Sequence, residues 1–359
     1  MKKERQWIHA AKGIAILGVM AIHVAQSVFG GHVGGVSSGL VMKGVSFGVY
    51  GVQLFFMLSA YTMCVSYANY RLDTDGSVWR FMLNKYCRLL PLYWLGMVAY
   101  YGYWRITGKP VPAAHQILAN TCIMNTFCLT DQNACVPGGW SISCIAVFCF
   151  VFPILFGWVA RRKFVWLSIL FILLASGTFL LFRSGVPDVA AYWCVTNQLI
   201  VFLAGMLMFM CKDWMDILER IRIQVLFAMM IPCMALVFLL AMKKIGYPYF
   251  YLFRHVPASL AFVLLVSCLR KWEGSLPLML IRIGRKTYSL FIIHFIVAWE
   301  VAERVASRIR SPVIGFLTGY LLTVGVSYCL AIVIDRFYEV PLLNLKNRLF
   351  SAGQSGRVG

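Results

Sequence analysis

The sequence predicts an all-α fold: a polytopic transmembrane helix bundle of about ten spans with both termini in the cytoplasm. Three observations predict it. Of 359 residues, 61% are hydrophobic and only 13% charged, whereas a soluble domain is about half apolar and about a quarter charged. Mean hydropathy is +0.77, more apolar surface than a soluble core of this size hides, which excludes an ordinary soluble enzyme, a disordered chain and a disulfide mini-protein. Apolar stretches of about 17–25 residues, enough to cross a bilayer, recur along the whole chain. The formal charge of +20 is also sorted by side, as in membrane proteins that collect Lys and Arg in cytoplasmic loops.

The stretches run over about 8–29, 45–67, 88–104, 140–160, 164–182, 192–211, 222–242, 249–269, 287–305 and 312–334. The first follows Lys2, Lys3 and Arg5 and carries Lys12 and His23. It is therefore not the clean apolar core of a cleaved leader. The second lies between Lys43 and Arg71. The third is short and aromatic and begins at Arg88. Arg161, Arg162 and Lys163 separate the fourth from the fifth, and Lys212, Arg220 and Arg222 separate the sixth from the seventh. The eighth is interrupted by Arg254, His255 and Pro257. The ninth follows Arg282, Arg285 and Lys286, and Arg336 follows the tenth. With the N-terminus inside, 22 Lys and Arg fall on inner segments and 9 on outer ones, with Lys12 and Arg254 inside spans. This bias places both termini in the cytoplasm. It also argues against a nucleic-acid partner, because the basic residues are dispersed over many loops and form no single stripe. One membrane domain is expected over 1–337, with a short cytoplasmic tail over 338–359.

Most of the 12 cysteines sit in apolar spans, where Cys behaves as a small hydrophobe. Cys122, Cys128 and Cys135 fall in the long outer loop 105–139, where an oxidising compartment would allow one disulfide and leave one thiol over. Their spacing is not that of a metal site, and no metal is expected.

Ionisable residues inside spans are costly and usually functional. Lys12 and His23 are eleven residues apart, three turns plus roughly 20° at about 100° per residue, so they share one helix face. They stand about 16 Å apart along the axis, the cation near the cytoplasmic end and the imidazole deeper. A snorkelling Lys and a His bonded inside the bundle is the structural alternative. Lys85 and Arg88, at i and i+3, share a face at the cytoplasmic mouth of the third span and suit a phosphorylated ligand; a positive-inside anchor would look the same. His294 lies in the apolar run Tyr288–His294. Arg254 and His255 break the eighth span near its outer end, where they would line a polar cavity. Glu300 and Glu303 are expected to pair with Arg304.

In order along the chain these features resemble the acyltransferase 3 family of membrane acyltransferases. Lys12 to His23 is similar to the family's Arg/Lys-x10-His motif. Leu54-Phe-Phe-Met-Leu-Ser-Ala60 is similar to its Phe-Phe-x-x-Ser-Gly segment, with Ala60 in place of Gly. Lys85-x-x-Arg88-Leu-Leu-Pro91-Leu-Tyr93 resembles its Arg-x-x-Arg-apolar-x-Pro-x-Tyr stretch, and Gly139-Trp140-Ser141-Ile-Ser143 its Trp-Ser-Leu-Ser opening of the fourth span. Tyr288 to His294 loosely matches its Tyr-x-x-His region, and Phe337-Tyr-Glu339-Val-Pro341 its closing Phe-x-Glu-x-Pro. Two positions depart: His9 stands where the family often has an acidic residue, and Ile145 where it usually has Glu.

The resemblance implies an integral-membrane O-acyltransferase of the cytoplasmic membrane. It would take an acyl group, usually acetyl, from acyl-CoA on the cytoplasmic side and pass it to a hydroxyl of a cell-surface polysaccharide or its lipid-linked precursor. No tightly bound cofactor is implied; acetyl-CoA or another acyl-CoA is the donor substrate, and the glycan and the lipid bilayer are the partners. Lys12, Lys85 and Arg88 would bind the CoA phosphates. His23 would be general base or transient acyl carrier, with Lys12, His294 and Ser141 completing the catalytic set. Trp140, Arg254 and His255 would hold the acceptor. Glu339 and Pro341 are expected to be structural, the proline closing the last helix. A secondary transporter and a non-catalytic partner in polysaccharide export are the competing classes.

Overall fold

The computed structural model describes residues 5–29, 44–68, 77–129, 131–161, 164–242 and 251–355, and every regular element among them is helical. In chain order these are α1 (Gln6–Val28), α2 (Gly51–Tyr67), α3 (Ser77–Thr107), α4 (Ala114–Thr121), α5 (Gly139–Ala160), α6 (Phe164–Arg183), α7 (Asp188–Trp193), α8 (Val195–Met210), α9 (Lys212–Arg220), α10 (Ile223–Ala241), α11 (His255–Lys271), α12 (Leu278–Arg285), α13 (Thr287–Val297), α14 (Glu303–Ala306), α15 (Pro312–Ile334) and α16 (Val340–Ser355). Among the described residues, 6 helices are long and apolar enough to cross a membrane. The surface is apolar where a soluble protein would be polar: Val98, Phe150 and Leu321 are all about two-thirds exposed or more, a distribution that a hydrocarbon solvent accounts for and water does not. Several charges used to assign sidedness (Lys2, Lys3, Lys43, Arg71, Arg162, Lys163, Lys243, Lys244 and Arg357) lie outside the described residues, as do 249–250 of the eighth expected span and 356–359 of the expected tail.

Three expected spans take a different form. The third is part of a single 31-residue helix, α3, that starts well before Arg88 and carries Pro91 inside it. The eighth begins as a 3-10 turn, Tyr251–Arg254, that passes into α11 at His255. The ninth is not one helix, because a π turn, Ala298–Ala302, separates α13 from α14. That turn sits against α15 and sets Glu300 where Tyr103 donates a 2.7 Å hydrogen bond to it and Arg304 pairs with it. Pro341 does not close the last helix. A second π turn, Asp335–Glu339, leads into α16, and Pro341 falls in its first turn, where a missing N–H costs least. Lys286 pairs with Asp335 and ties that turn to the start of α13.

The first helix is the axis of the bundle, packing along α2, α12, α13 and α15. Its buried face is made of small residues, Ala10, Ala11, Gly13 and Ala15, which let backbones approach as they do in membrane bundles. The closest approach is at Gly284 of α12, where a Cβ would collide with the His9 carbonyl and lie 3.0 Å from the Gly13 nitrogen. Both obstacles are backbone and neither can rotate away. Gly284→Ala is therefore expected to lower the thermal midpoint of the detergent-purified protein by several degrees and to reduce its abundance in the membrane, an overpacking loss of about 1–3 kcal/mol. Wild-type melting would refute this contact.

Candidate functional site

A cavity of about 210 Å³ opens between α1, α2, α3, α5 and the start of α13. Lys12, Lys85 and Arg88, the three cations selected from sequence, all line it, together with Arg285 from α12 and Glu339 from the second π turn. Arg88 and Arg285 are exposed while Lys12 and Lys85 are half-buried, so the cations mark an open mouth and the lower wall. Four cations against one carboxylate give a field suited to a polyanion such as a phosphate chain. Arg285 went unrecognised in the sequence because it belongs to the run Arg282, Arg285, Lys286, which reads as a sidedness marker. Glu339, expected to be structural, faces the same cavity and accepts a 3.4 Å hydrogen bond from Ser289.

The depth of the cavity follows from helix geometry. Val52 and Met63 of α2 both line it, and eleven residues of helix rise about 16 Å. The two helices run antiparallel: Gly51 faces Ala15 and Val19, while Tyr61 is bonded by Arg5 and packed edge-on against Trp7 at 5.3 Å. The cavity therefore spans the part of α1 that lies below His23, and His23 is not among its walls.

The imidazoles lie just beyond it. His23 and His294 have ring centroids 5.4 Å apart, and Phe295 packs against both at 4.1 and 4.3 Å. Phe291 lines the cavity on one side and approaches the His294 ring at 5.8 Å on the other, so a single aromatic side chain separates the cavity from the pair. The His23 Nδ1–H donates to Gln26 Oε1 at 2.8 Å. His294 Nδ1–H donates to the carbonyls of Phe291 and Leu290 at 2.8 and 3.1 Å. Both rings thus present Nε2 as the free lone pair, the tautomer a general base requires. His294 Nε2 is fully buried and has no hydrogen-bond partner among the described residues.

The acyltransferase-domain family profile (acyltransferase 3) matches residues 5–332. The chain belongs to the acyltransferase 3 family. No curated protein and no solved structure gives a match. This membership, with the apolar helices, makes it a membrane acyltransferase.

Two family segments look different in three dimensions from the way they read in sequence. Gly138 precedes α5 with φ of +80°, and a Cβ there would lie 2.9 Å from Phe291 Cζ; this left-handed turn sets the direction of Trp140 and Ser141. Ser141 lines the cavity, but its hydroxyl donates to the Gly138 carbonyl at 2.8 Å. Trp140 is buried away from the cavity, against Phe56, Tyr192 and Trp193 at 5.8, 6.0 and 6.0 Å. Ile145, at the position where the family usually has Glu, does line the cavity. Arg254 and His255 do not line this cavity but lie close to Trp140 through Tyr192. The Arg254 guanidinium lies 4.0 Å from the Tyr192 ring centroid and His255 stacks on that ring at 5.3 Å. Cys122, Cys128 and Cys135 are all unbonded; Cys122 is exposed, whereas Cys135 is buried and its thiol is pushed up to about 11 by that burial and by the Asp131 carboxylate.

Proposed function

We propose that this acyltransferase moves an acyl group, acetyl in the first instance, from cytoplasmic acyl-CoA to a hydroxyl of a cell-surface polysaccharide or its lipid-linked precursor, from a seat in the cytoplasmic membrane. The observation that carries the reading is the placement of the cation-lined cavity and the imidazole pair on the two sides of Phe291. Lys12, Lys85, Arg88 and Arg285 hold the phosphates of the donor at the mouth. The pantetheine arm extends along the roughly 16 Å depth of the cavity and brings the thioester to the Phe291 wall. With the Phe291 ring turned aside, His23 Nε2 takes the proton of the acceptor hydroxyl as the oxygen attacks the thioester carbonyl. The C–S bond of the tetrahedral intermediate then breaks, and the departing thiolate receives the proton from the imidazolium. His294 adds a second Nε2 beside the reacting groups, and Ser141 and Trp140 shape the wall the acceptor meets.

The reading includes ten spans with both termini in the cytoplasm, supported by the charge bias and by helical segments among the described residues of the expected stretches, 6 of the helices being long and apolar enough to cross a membrane. It puts the loop between α3 and α5 outside. On intact cells at neutral pH, a membrane-impermeant maleimide is then expected to label Cys122, with the signal lost in Cys122→Ser and Cys135 left unmodified; labelling that needs permeabilised cells would reverse the sidedness. The function itself is tested by NMR of the surface polysaccharide from cells with and without the gene. O-acyl signals should vanish without it and return with the wild-type copy, and a polysaccharide unchanged in acylation would refute the acceptor class.

A further inference from the structure

The buried amides around Tyr192, Gln53, Asn197 and Gln198, bond to that tyrosine and to one another and do not line the cation-lined cavity. Polar groups with an open side lie instead at the end of α3 remote from the cations. Tyr103, half-buried there, meets Trp299 and Glu300, which the π turn Ala298–Ala302 carries and which are half-buried too. Such π turns frequently sit at functional sites. The place of this one follows from α13. Thr287, Tyr288 and Phe291 line the cavity, His294 comes next along the helix, and Trp299 lies beyond it.

A run of rings joins this cluster to the imidazoles. Phe295 packs on His23 and His294 at 4.1 and 4.3 Å, Trp299 meets Phe295 at 5.9 Å, and Tyr103 lies beside Trp299 at 5.8 Å with the two planes 26° apart. Tyr100, fully buried, meets Trp299 edge-on at 6.2 Å and holds the indole plane. Gly108, at φ of +69°, ends α3 and turns the chain back, so that the Lys109 N–H bonds the Trp104 carbonyl at 2.9 Å. The Lys109 ammonium is thereby laid over both rings, 5.2 Å from the Tyr103 centroid and 5.0 Å from that of Trp299, and donates to the Tyr103 hydroxyl at 3.5 Å. Both rings therefore turn a face to the same side. Glu300 stands at their edge, accepting from the Tyr103 hydroxyl at 2.7 Å and pairing with Arg304, with 32% of its side chain exposed. A residue that only anchors the chain at a membrane interface needs none of this: here two fixed faces share a donor and an acceptor at their rim and touch the imidazoles through one ring.

Given the acyltransferase reading, on which this rests, we infer that Tyr103 and Trp299 are the landing platform of the acceptor glycan. A sugar ring lies with its C–H face on the two rings, its partly positive hydrogens against their negative π faces. It takes the place of the Lys109 ammonium, whose cation–π contact at an exposed site is weak. The displaced ammonium donates to the sugar hydroxyls, and Glu300 accepts a hydroxyl hydrogen. The adjoining sugar then extends across Phe295 to His23, where its hydroxyl reacts. Flat faces rimmed by one donor and one acceptor match a pyranose, which has an apolar face and a rim of hydroxyls. A lipid chain would leave Lys109 and Glu300 unmet, and a phosphate would meet the Glu300 carboxylate.

The test uses the full chain in lipid nanodiscs, and the probe is the oligosaccharide repeat released from the surface polysaccharide of cells lacking the gene. Saturation-transfer NMR that irradiates the aromatic protons of the protein is expected to reach the C–H protons of one sugar face, and the signal should be lost in Trp299→Ala. Acetyl transfer to the oligosaccharide is measured on the same samples. Trp299→Ala and Tyr103→Ala should each raise the KM for the oligosaccharide about tenfold, the size of one aromatic contact, and leave the KM for acetyl-CoA unchanged. Trp299→Phe and Tyr103→Phe, which keep a ring, should lose much less. No saturation transfer to the sugar in the wild type, an undiminished signal in Trp299→Ala, an acceptor KM unchanged in both alanine variants, or equal rises in the KM of both substrates, as a purely structural role would give, would each overturn the inference. Acyl transfer with a wild-type acceptor KM in Trp299→Ala removes the platform and leaves the acyltransferase reading standing. Sugar binding on the rings without transfer from acetyl-CoA counts against that reading alone.

Discussion

Replacing His23 with Ala is expected to lower acyl transfer by about 10²–10⁴-fold, the contribution of a positioned general base, with the abundance of the protein in the membrane unchanged. The expectation rests on three features. The ring is half-buried just beyond the cation-lined cavity, across Phe291, its Nδ1–H is committed to Gln26, and its Nε2 is left to accept a proton. Gln26→Leu provides the graded form of the same experiment. It leaves the imidazole in place but frees the tautomer, so kcat should fall while the KM for acyl-CoA stays near wild type. Because His294 stands 5.4 Å away with its own free Nε2, His294→Ala should cost less than His23→Ala, and the double variant should cost about as much as His23→Ala alone if the two act as one unit. Wild-type activity in His23→Ala would remove the mechanism.

Lys85→Ala combined with Arg88→Ala is expected to raise the KM for acyl-CoA by about 10²-fold while kcat at saturating donor changes little. A hydrogen bond to a charged group contributes about 1.5–3 kcal/mol, and about 1.4 kcal/mol is a factor of ten. Solvent around the exposed Arg88 reduces its share, so about tenfold per residue is the appropriate magnitude. Raising the ionic strength should weaken donor binding to the wild type more steeply than to the double variant. An unchanged KM would refute the phosphate site. Arg285, which faces the same mouth, should reproduce roughly one of the two effects when replaced by Ala.

Much of this site was legible in the chain. Spacing alone put Lys12 and His23 on one face and Lys85 and Arg88 on another, and the bundle brings three of the four to one cavity. Trp140, Arg254 and His255, chosen far apart in sequence, meet around Tyr192. What the sequence could not convey is which faces meet. Gln53, Asn197 and Gln198 carry no charge and sit in ordinary apolar runs, so nothing marks them until the bundle buries them together. Arg285 was masked by its neighbours, since a cation beside two others at a helix end reads as topology. The π turns at 298–302 and 335–339 have no composition signal; they pack against α15 and the start of α13, and without them Pro341 looks like a helix end. The fourth predicted partner, His23, lies beyond the cavity because Phe291 intervenes, a tertiary fact that periodicity does not contain.

Donor entry from the cytoplasmic cation mouth, with the product formed at the imidazole pair and released on the far face, is tested by sidedness. Sealed inverted vesicles, whose cytoplasmic face is outward, would receive radiolabelled acetyl-CoA in the medium, and the label on enclosed glycan would be counted beside sealed right-side-out vesicles of the same protein content. Transfer is expected in the inverted vesicles, with near-background counts in the right-side-out ones and background in both for His23→Ala. Equal labelling in both orientations, or labelling that survives His23→Ala, would contradict it.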